Sequence, residues 1–219
     1  MYTHYWQDGT KIGLNLGKIV CVGRNYADHA KELDNPVPEQ PLLFMKPKTA
    51  AVNLAAKLSL PAYLGAHHYE AELALLVGET ITRNTVAPLH CIHGVGLALD
   101  LTLRDVQAAL KAQGYPWERA KAYDKSCPLT PFTKTKLDEH SQFEFKFWQN
   151  DELKQQGDTS LMLFSFTRLL TEISRCFTLE PGDVVLTGTP KGVGVLRHDD
   201  KLALQLGEGA VLTTQLSID

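Results

Sequence analysis

The chain has 219 residues, 44% apolar and 21% charged, with a formal net charge of −3. Those values exclude a disordered or membrane-embedded class, and Lys and Arg are too dispersed to form a nucleic-acid surface. One compact domain over residues 1–219 is expected, since a chain of this length buries one sizeable core.

Cys21, Cys91, Cys127 and Cys176 form no Cys-x-x-Cys pair. Neither a structural zinc site nor a disulfide framework is indicated, and a reducing cytoplasm fits best. The opening residues lack a basic stretch followed by an apolar one, and no run reaches the length of a membrane span. A protein neither exported nor embedded is expected.

Residues 18–23 form a short apolar run ending in Gly23. Residues 24–33 have helix-forming composition, and Asp34-Asn35-Pro36 predicts the stop. On that helix His29 and Glu32 are neighbours at i and i+3, which fits either a hydrogen-bonded pair or a solvated surface pair. Three prolines in residues 35–41 argue against regular structure there. Residues 42–47 read as a buried strand closed by Lys46-Pro47, where Lys46 is either a solvated strand end or a cation facing the same cavity as Glu70.

Residues 67–78, His-His-Tyr-Glu-Ala-Glu-Leu-Ala-Leu-Leu-Val-Gly, read as the central strand. Alternation puts Glu70 and Glu72 on one face and Ala71 and Leu73 on the other. By itself a Glu-x-Glu pair also fits the wet face of a half-exposed strand. His67 and His68 precede the alternation and are expected to stand behind the site or at the surface. A second strand-like run, residues 93–101, is apolar except for Asp100. Buried carboxylates are costly unless paired or bound to a cation, so three that converge suit a hard divalent ion such as Mg²⁺ or Mn²⁺.

After Asp100 a helix is predicted, with Thr102 and Asp105 in the spacing of an N-terminal cap and Gly114-Tyr115-Pro116 as its end. Residues 117–128 are read as a loop. Residues 143–149 alternate with period two, and Asn150-Asp151 predicts a hairpin turn. Phe166, Leu169, Leu170 and Ile173 have helical spacing, a stripe that fits core packing. Residues 184–187 read as a buried strand, followed by a Gly-rich loop, 188–194, that lacks the phosphate-loop closure but whose N–H groups can bind an anionic oxygen. Two strands joined by Gly-Glu-Gly end the chain. The tally, eight to ten strands against three helices without regular alternation, predicts a β-rich α+β fold.

Six blocks, in order, resemble the fumarylacetoacetate hydrolase family, in particular its short acylpyruvase branch with oxaloacetate-decarboxylating members. They are residues 22–29 (Val-Gly-Arg-Asn-Tyr-Ala-Asp-His), 43–47, 69–73, 99–107, 126–128 and 186–194. The resemblance implies the family's mixed β-roll with a few flanking helices, and a homodimer. It also implies that Glu70, Glu72 and Asp100 bind Mg²⁺ or Mn²⁺, that His29 and Glu32 form an acid–base dyad, and that Arg24, Gln107, Lys121 and Thr189 hold the oxygens of a small 2-oxo acid. Leu99 stands where many members carry Asn, which separates this chain from the substrates of those branches.

The chemistry so implied is hydrolysis of a C–C bond in acylpyruvates, with His29 activating water and Lys121 adding positive charge beside the forming enolate. Loss of CO₂ from oxaloacetate reaches the same enolate. The alternatives are an isomerase interconverting keto and enol forms of a 2-oxo diacid such as oxaloacetate, a 2-oxo diacid decarboxylase, and a non-catalytic protein holding a structural cation.

Overall fold

The computed structural model describes residues 2–33, 36–55 and 57–219. Within them lie sixteen strands and four α-helices: α1 (Ala27–Glu32), α2 (Arg104–Ala112), α3 (Glu118–Lys121) and α4 (Phe166–Cys176). The β-rich α+β expectation holds. Strands outnumber the sequence tally because pieces such as Thr102–Leu103 and Gly194–Val195 are too short to display a period.

The main sheet runs in the order Leu42–Pro47, Lys18–Gly23, Val184–Leu186, Ala71–Val77, Ile92–Leu99, Cys127–Leu129, Ala51–Asn53. Its two end strands, Leu42–Pro47 and Ala51–Asn53, are separated in the chain only by the 3₁₀ turn Lys48–Ala50. Six inter-strand spacings across a flat sheet would need roughly 29 Å. Three linking residues reach only about 14 Å. The sheet is therefore curled into a roll.

Ile19, Cys21, Ala74, Leu76 and Ala98 pack on one face of that sheet. Val20, Val22, Leu73, Leu75, Leu97 and Leu99 pack on the other, together with Phe145, Phe147, Leu202, Leu204 and Leu216 of a second sheet. Burial on both faces explains the unbroken apolar run after Glu72. The second sheet contains both predicted hairpins, in the order Glu152–Asp158, Glu144–Gln149, Lys201–Leu206, Leu212–Ile218, Lys57–Leu60. Asn150 and Asp151 both take positive φ, 53° and 62°, as a two-residue turn between strands of right-handed twist requires. The apolar stripe of α4 is buried, and the Ser165 side chain accepts the Arg168 N–H at its start.

Three local expectations are corrected. The helix after Asp100 begins at Arg104 with Leu103 as its cap residue, and the Thr102 hydroxyl donates to the Asp100 carbonyl (3.2 Å) instead of capping. The predicted loop at 117–128 contains α3, a single turn too short to show periodicity. Helix α1 starts later than residue 24, because Arg24 has φ 58° and Tyr26 is extended. The predicted stop at Asp34-Asn35 lies outside the described residues. No described helix is long and apolar enough to cross a membrane.

Candidate active site

Strand register, not sequence proximity, assembles the acidic cluster. Ala71 stands opposite Leu99, and the Asp100 N–H donates to the Glu70 carbonyl at 2.8 Å. Alternation along the first strand then sends Glu70 and Glu72 to the same side as Asp100. Carboxylate oxygens of all three lie within 4.8 Å of one another, and all three residues are buried. The solvated reading of Glu-x-Glu is thereby overturned.

Three cations answer these charges. The Lys121 ammonium, from the end of α3, lies 2.6 Å from Glu70 Oε2 and 2.7 Å from Asp100 Oδ2. Arg104, from the first turn of α2, pairs with Glu70 and donates to the Gln107 Oε1 at 2.8 Å. Lys46 approaches Asp100 Oδ1 from the opposite side, at 2.8 Å. Its ammonium is also surrounded by the carbonyls of Leu101, Lys121 and Ser126 and by the Ser126 hydroxyl. The solvated reading of Lys46 is overturned too, since the side chain is fully buried.

These partners divide the carboxyl groups. Burial pushes the Glu70 carboxyl up, but Lys121 and Arg104 outweigh it and hold it well below the usual carboxylate range. For Glu72, burial and then the neighbouring Asp100 and Glu70 charges push the carboxyl well above that range, against the pull of the Gly188 N–H that donates to it at 2.7 Å. Burial lowers Lys121, yet Asp100 and Glu70 more than reverse this and hold it as an ammonium. Asp100 Oδ1 accepts no hydrogen bond despite its ion pair with Lys46. A buried all-oxygen cluster with one carboxyl forced up is a donor set that fits a hard divalent cation.

The cluster forms the floor of a cavity of about 220 Å³. Arg24, His29, Gln107, Lys121 and Thr189 line it, so the predicted substrate-binding residues are brought together with the three carboxylates. The Thr189 hydroxyl donates to the Ala71 carbonyl (2.8 Å) and accepts from Gln155 Nε2 (2.8 Å), which ties the Gly-rich loop to the central strand.

Helix α1 sits at the cavity wall because Asn25 pins its start: the Asn25 amide donates to the Thr187 carbonyl (2.8 Å) and its oxygen accepts the Phe164 N–H (2.8 Å). Gly188 makes this close approach possible, since with φ 102° a Cβ there would stand 2.7 Å from the Asn25 Cβ. His29 is buried, and its Nδ1 lies 3.3 Å from Glu32 Oε2. The Glu32 carboxylate in turn accepts the Gly192 N–H (3.0 and 3.2 Å). Thus the anions bound by the Gly-rich loop are two of the protein's own carboxylates, Glu72 and Glu32. A carboxylate can only accept, so the contact places a proton on His29 Nδ1 and turns Nε2 away from Glu32.

Sequence reasoning missed Arg104, full burial of Lys46, and Gln155, which also accepts the Ala71 N–H (2.8 Å). Arg104 carried a signal, its i, i+3 spacing to Gln107 just after Asp100. Gln155 carried none, because its partners are more than thirty residues away in either direction.

The fumarylacetoacetate (FAA) hydrolase C-terminal family pattern matches residues 18–217. The chain belongs to the fumarylacetoacetate hydrolase family. Within this family of enzymes it is 44% identical to an oxaloacetate tautomerase of Escherichia coli K12, across 99% of this chain and 100% of that one. It is 38% identical to a mitochondrial oxaloacetate tautomerase of Bos taurus, across 99% and 95%. A fumarylpyruvate hydrolase from Pseudomonas aeruginosa, solved in complex with Mn²⁺ and pyruvate, superposes with a TM-score of 0.90 at 30% identity, covering 100% of this chain and 96% of that one. A family member from Yersinia pestis CO92 superposes with a TM-score of 0.94 at 40% identity, covering 98% and 100%. The roll described above is the family's fold.

Proposed function

We propose that this enzyme interconverts the keto and enol forms of oxaloacetate. The observation that carries the reading is the placement of His29 in the cavity wall, with Nδ1 held by Glu32, facing a floor of three carboxylates and the Lys121 ammonium. The identities of 44% and 38% to oxaloacetate tautomerases support it, and they put acylpyruvate hydrolysis second. Hydrolysis stays the second reading because of the likeness to a fumarylpyruvate hydrolase at 30% identity.

Glu70, Glu72 and Asp100 would hold Mg²⁺ or Mn²⁺, which when bound supplies Lewis-acid stabilisation of negative charge on the oxygens of a 2-oxo acid. His29 Nε2 takes a proton from carbon 3 in the keto-to-enol direction and returns it in reverse. Glu32 keeps the proton on Nδ1 and stabilises the imidazolium formed in between. Lys121 donates a hydrogen bond to the oxygen on carbon 2 where charge develops, and the proton that His29 has taken up is passed through solvent to that oxygen to complete the enol. Arg24, Gln107 and Thr189 orient the substrate. Tautomerisation needs only this proton movement, whereas hydrolysis also needs a water held between His29 and the distal carbonyl. A homodimer and a reducing cytoplasmic setting go with this reading.

The test starts from enol oxaloacetate diluted into buffer with Mg²⁺ or Mn²⁺. NMR follows the enol signal, with pyruvate release from oxaloacetate, acetylpyruvate and fumarylpyruvate measured in parallel. Faster enol loss without matching pyruvate is expected. Pyruvate release from acylpyruvates with no effect on tautomerisation would reverse the order of the two readings.

A further inference from the structure

Strand Glu152–Asp158 lies at the edge of the second sheet, yet its Gln155 is a polar side chain only 1% exposed. The ladder with Glu144–Gln149 skips Lys154, since Phe147 stands opposite Gln155 and Trp148 opposite Leu153. Such a bulge frees the extra residue from the ladder and re-aims its neighbours. Three hydrogen bonds then close a cycle. The Ala71 N–H donates to Gln155 Oε1, Gln155 Nε2 donates to the Thr189 hydroxyl oxygen, and that hydroxyl donates to the Ala71 carbonyl, each at 2.8 Å. The second Nε2 hydrogen goes to the Pro190 carbonyl, also at 2.8 Å. A backbone N–H can only donate, so Ala71 fixes which end of the Gln155 amide faces the Gly-rich loop. Both amide hydrogens are thereby spent on holding Thr189 and Pro190 beside the strand of the acidic cluster.

Thr189 and Pro190 lie between the two N–H groups that grip carboxylates, Gly188 on Glu72 and Gly192 on Glu32. Lys154 meets the far end of the same loop, where Gly192 has φ 98° and a Cβ would run into the Lys154 carbonyl oxygen. Glu32 is itself exposed, and among the described residues its carboxylate meets only His29 Nδ1 and the Gly192 N–H. The position of Gly192 is therefore what turns Glu32 toward His29 and away from water, and Lys154 and Gln155 set that position.

We propose that Gln155 is a positioning residue for the proton transfer: through Gly192 it keeps the Glu32 carboxylate on His29 Nδ1. This rests on the reading that His29 is the base of the tautomerisation. The test joins that rate to nitrogen NMR of the metal-free protein with labelled histidine, at about pH 8.5, well above the ordinary histidine value. The His29 ring is identified by its loss in His29→Ala. The unmodified protein should hold its His29 proton on Nδ1, because the bond to Glu32 selects that tautomer. In Gln155→Met the proton should shift toward Nε2, the site an unpaired imidazole favours, and kcat should fall by about tenfold to a hundredfold, the usual cost of losing a partner behind a functional side chain. Gly192→Ala, at a half-buried position outside the core, forces the loop off Lys154 and should do the same. A His29 spectrum unchanged in both variants would overturn the proposal, as would a shifted spectrum with kcat unchanged. If Gln155→Met did not fold, an unchanged spectrum in Gly192→Ala would overturn it alone. If the unmodified protein showed no tautomerase activity, the reading of His29 as its base would fall, while the spectra would still decide whether Gln155 controls the contact of Glu32 with His29.

Discussion

Lys46 and Asp100 form an ion pair across 2.8 Å with both side chains sealed from solvent. The strand Leu42–Pro47 delivers the ammonium from the sheet edge, while Asp100 arrives from the end of Ile92–Leu99. Removing Lys46 leaves the buried Asp100 paired, among the described residues, with Lys121 alone, a cation it shares with Glu70. Lys46→Met should therefore cost about 3–5 kcal/mol, read from urea unfolding in the presence of EDTA. The double variant Lys46→Met/Asp100→Asn should recover part of that loss. A single-variant cost below about 0.5 kcal/mol, the level of a neutral surface change, would mean that the Lys46 ammonium does not support Asp100.

The acidic cluster should bind one divalent ion. EDTA should abolish tautomerase activity, and Mg²⁺ or Mn²⁺ should restore it. Mn²⁺ titration followed by electron paramagnetic resonance should show Asp100→Ala and Glu70→Ala weakening affinity by more than about a hundredfold, beyond the loss caused by an outer partner. Unchanged Mn²⁺ affinity in both variants would remove these residues from the site.

Removal of His29 should separate proton transfer from ion binding. His29→Ala should lower the tautomerisation rate by about a hundredfold to ten-thousandfold, the usual contribution of a positioned general base, with Mn²⁺ affinity kept. Glu32→Gln should lower it less, since the imidazole stays in place without its carboxylate. If His29→Ala slows acylpyruvate hydrolysis but leaves tautomerisation intact, the residue belongs to water activation instead.

Two buried histidines outside the cavity predict acid sensitivity. His4 Nε2 donates to the Gly182 carbonyl (2.9 Å) and Nδ1 accepts from the Tyr2 hydroxyl (3.0 Å). His67 repeats the arrangement with the Pro61 carbonyl (2.9 Å) and the Tyr123 hydroxyl (2.8 Å). Burial lowers the pKa of both rings below the ordinary histidine value. The unfolded chain therefore binds protons at a pH where the folded one does not. Their contribution to stability is full above about pH 6.5 and is lost as pH falls through the lowered folded values. Unfolding midpoints measured between about pH 7.5 and 5.5 should fall with acidification, and His4→Gln and His67→Gln should each flatten the slope. A slope unaffected by both changes would assign the acid sensitivity elsewhere.

What the sequence determined by itself was local. The alternation that places Glu70 and Glu72 on one face, the Asn150-Asp151 turn and the buried stripe of α4 are set by backbone periods and turn geometry acting within a few residues. His29 and Glu32 were legible for the same reason, as neighbours on one helical turn. Joining Asp100 to the Glu pair needed a strand register, and that register comes from cross-strand hydrogen bonds and two-sided burial that no single segment contains. The tertiary structure alone decided that Lys46 is buried, that Gln155 ties the Gly-rich loop to the central strand, and that Lys121 bridges Glu70 and Asp100. Each of these polar groups is stable only because partners distant in the chain replace the water it has lost, and which partners those are depends on how the roll closes.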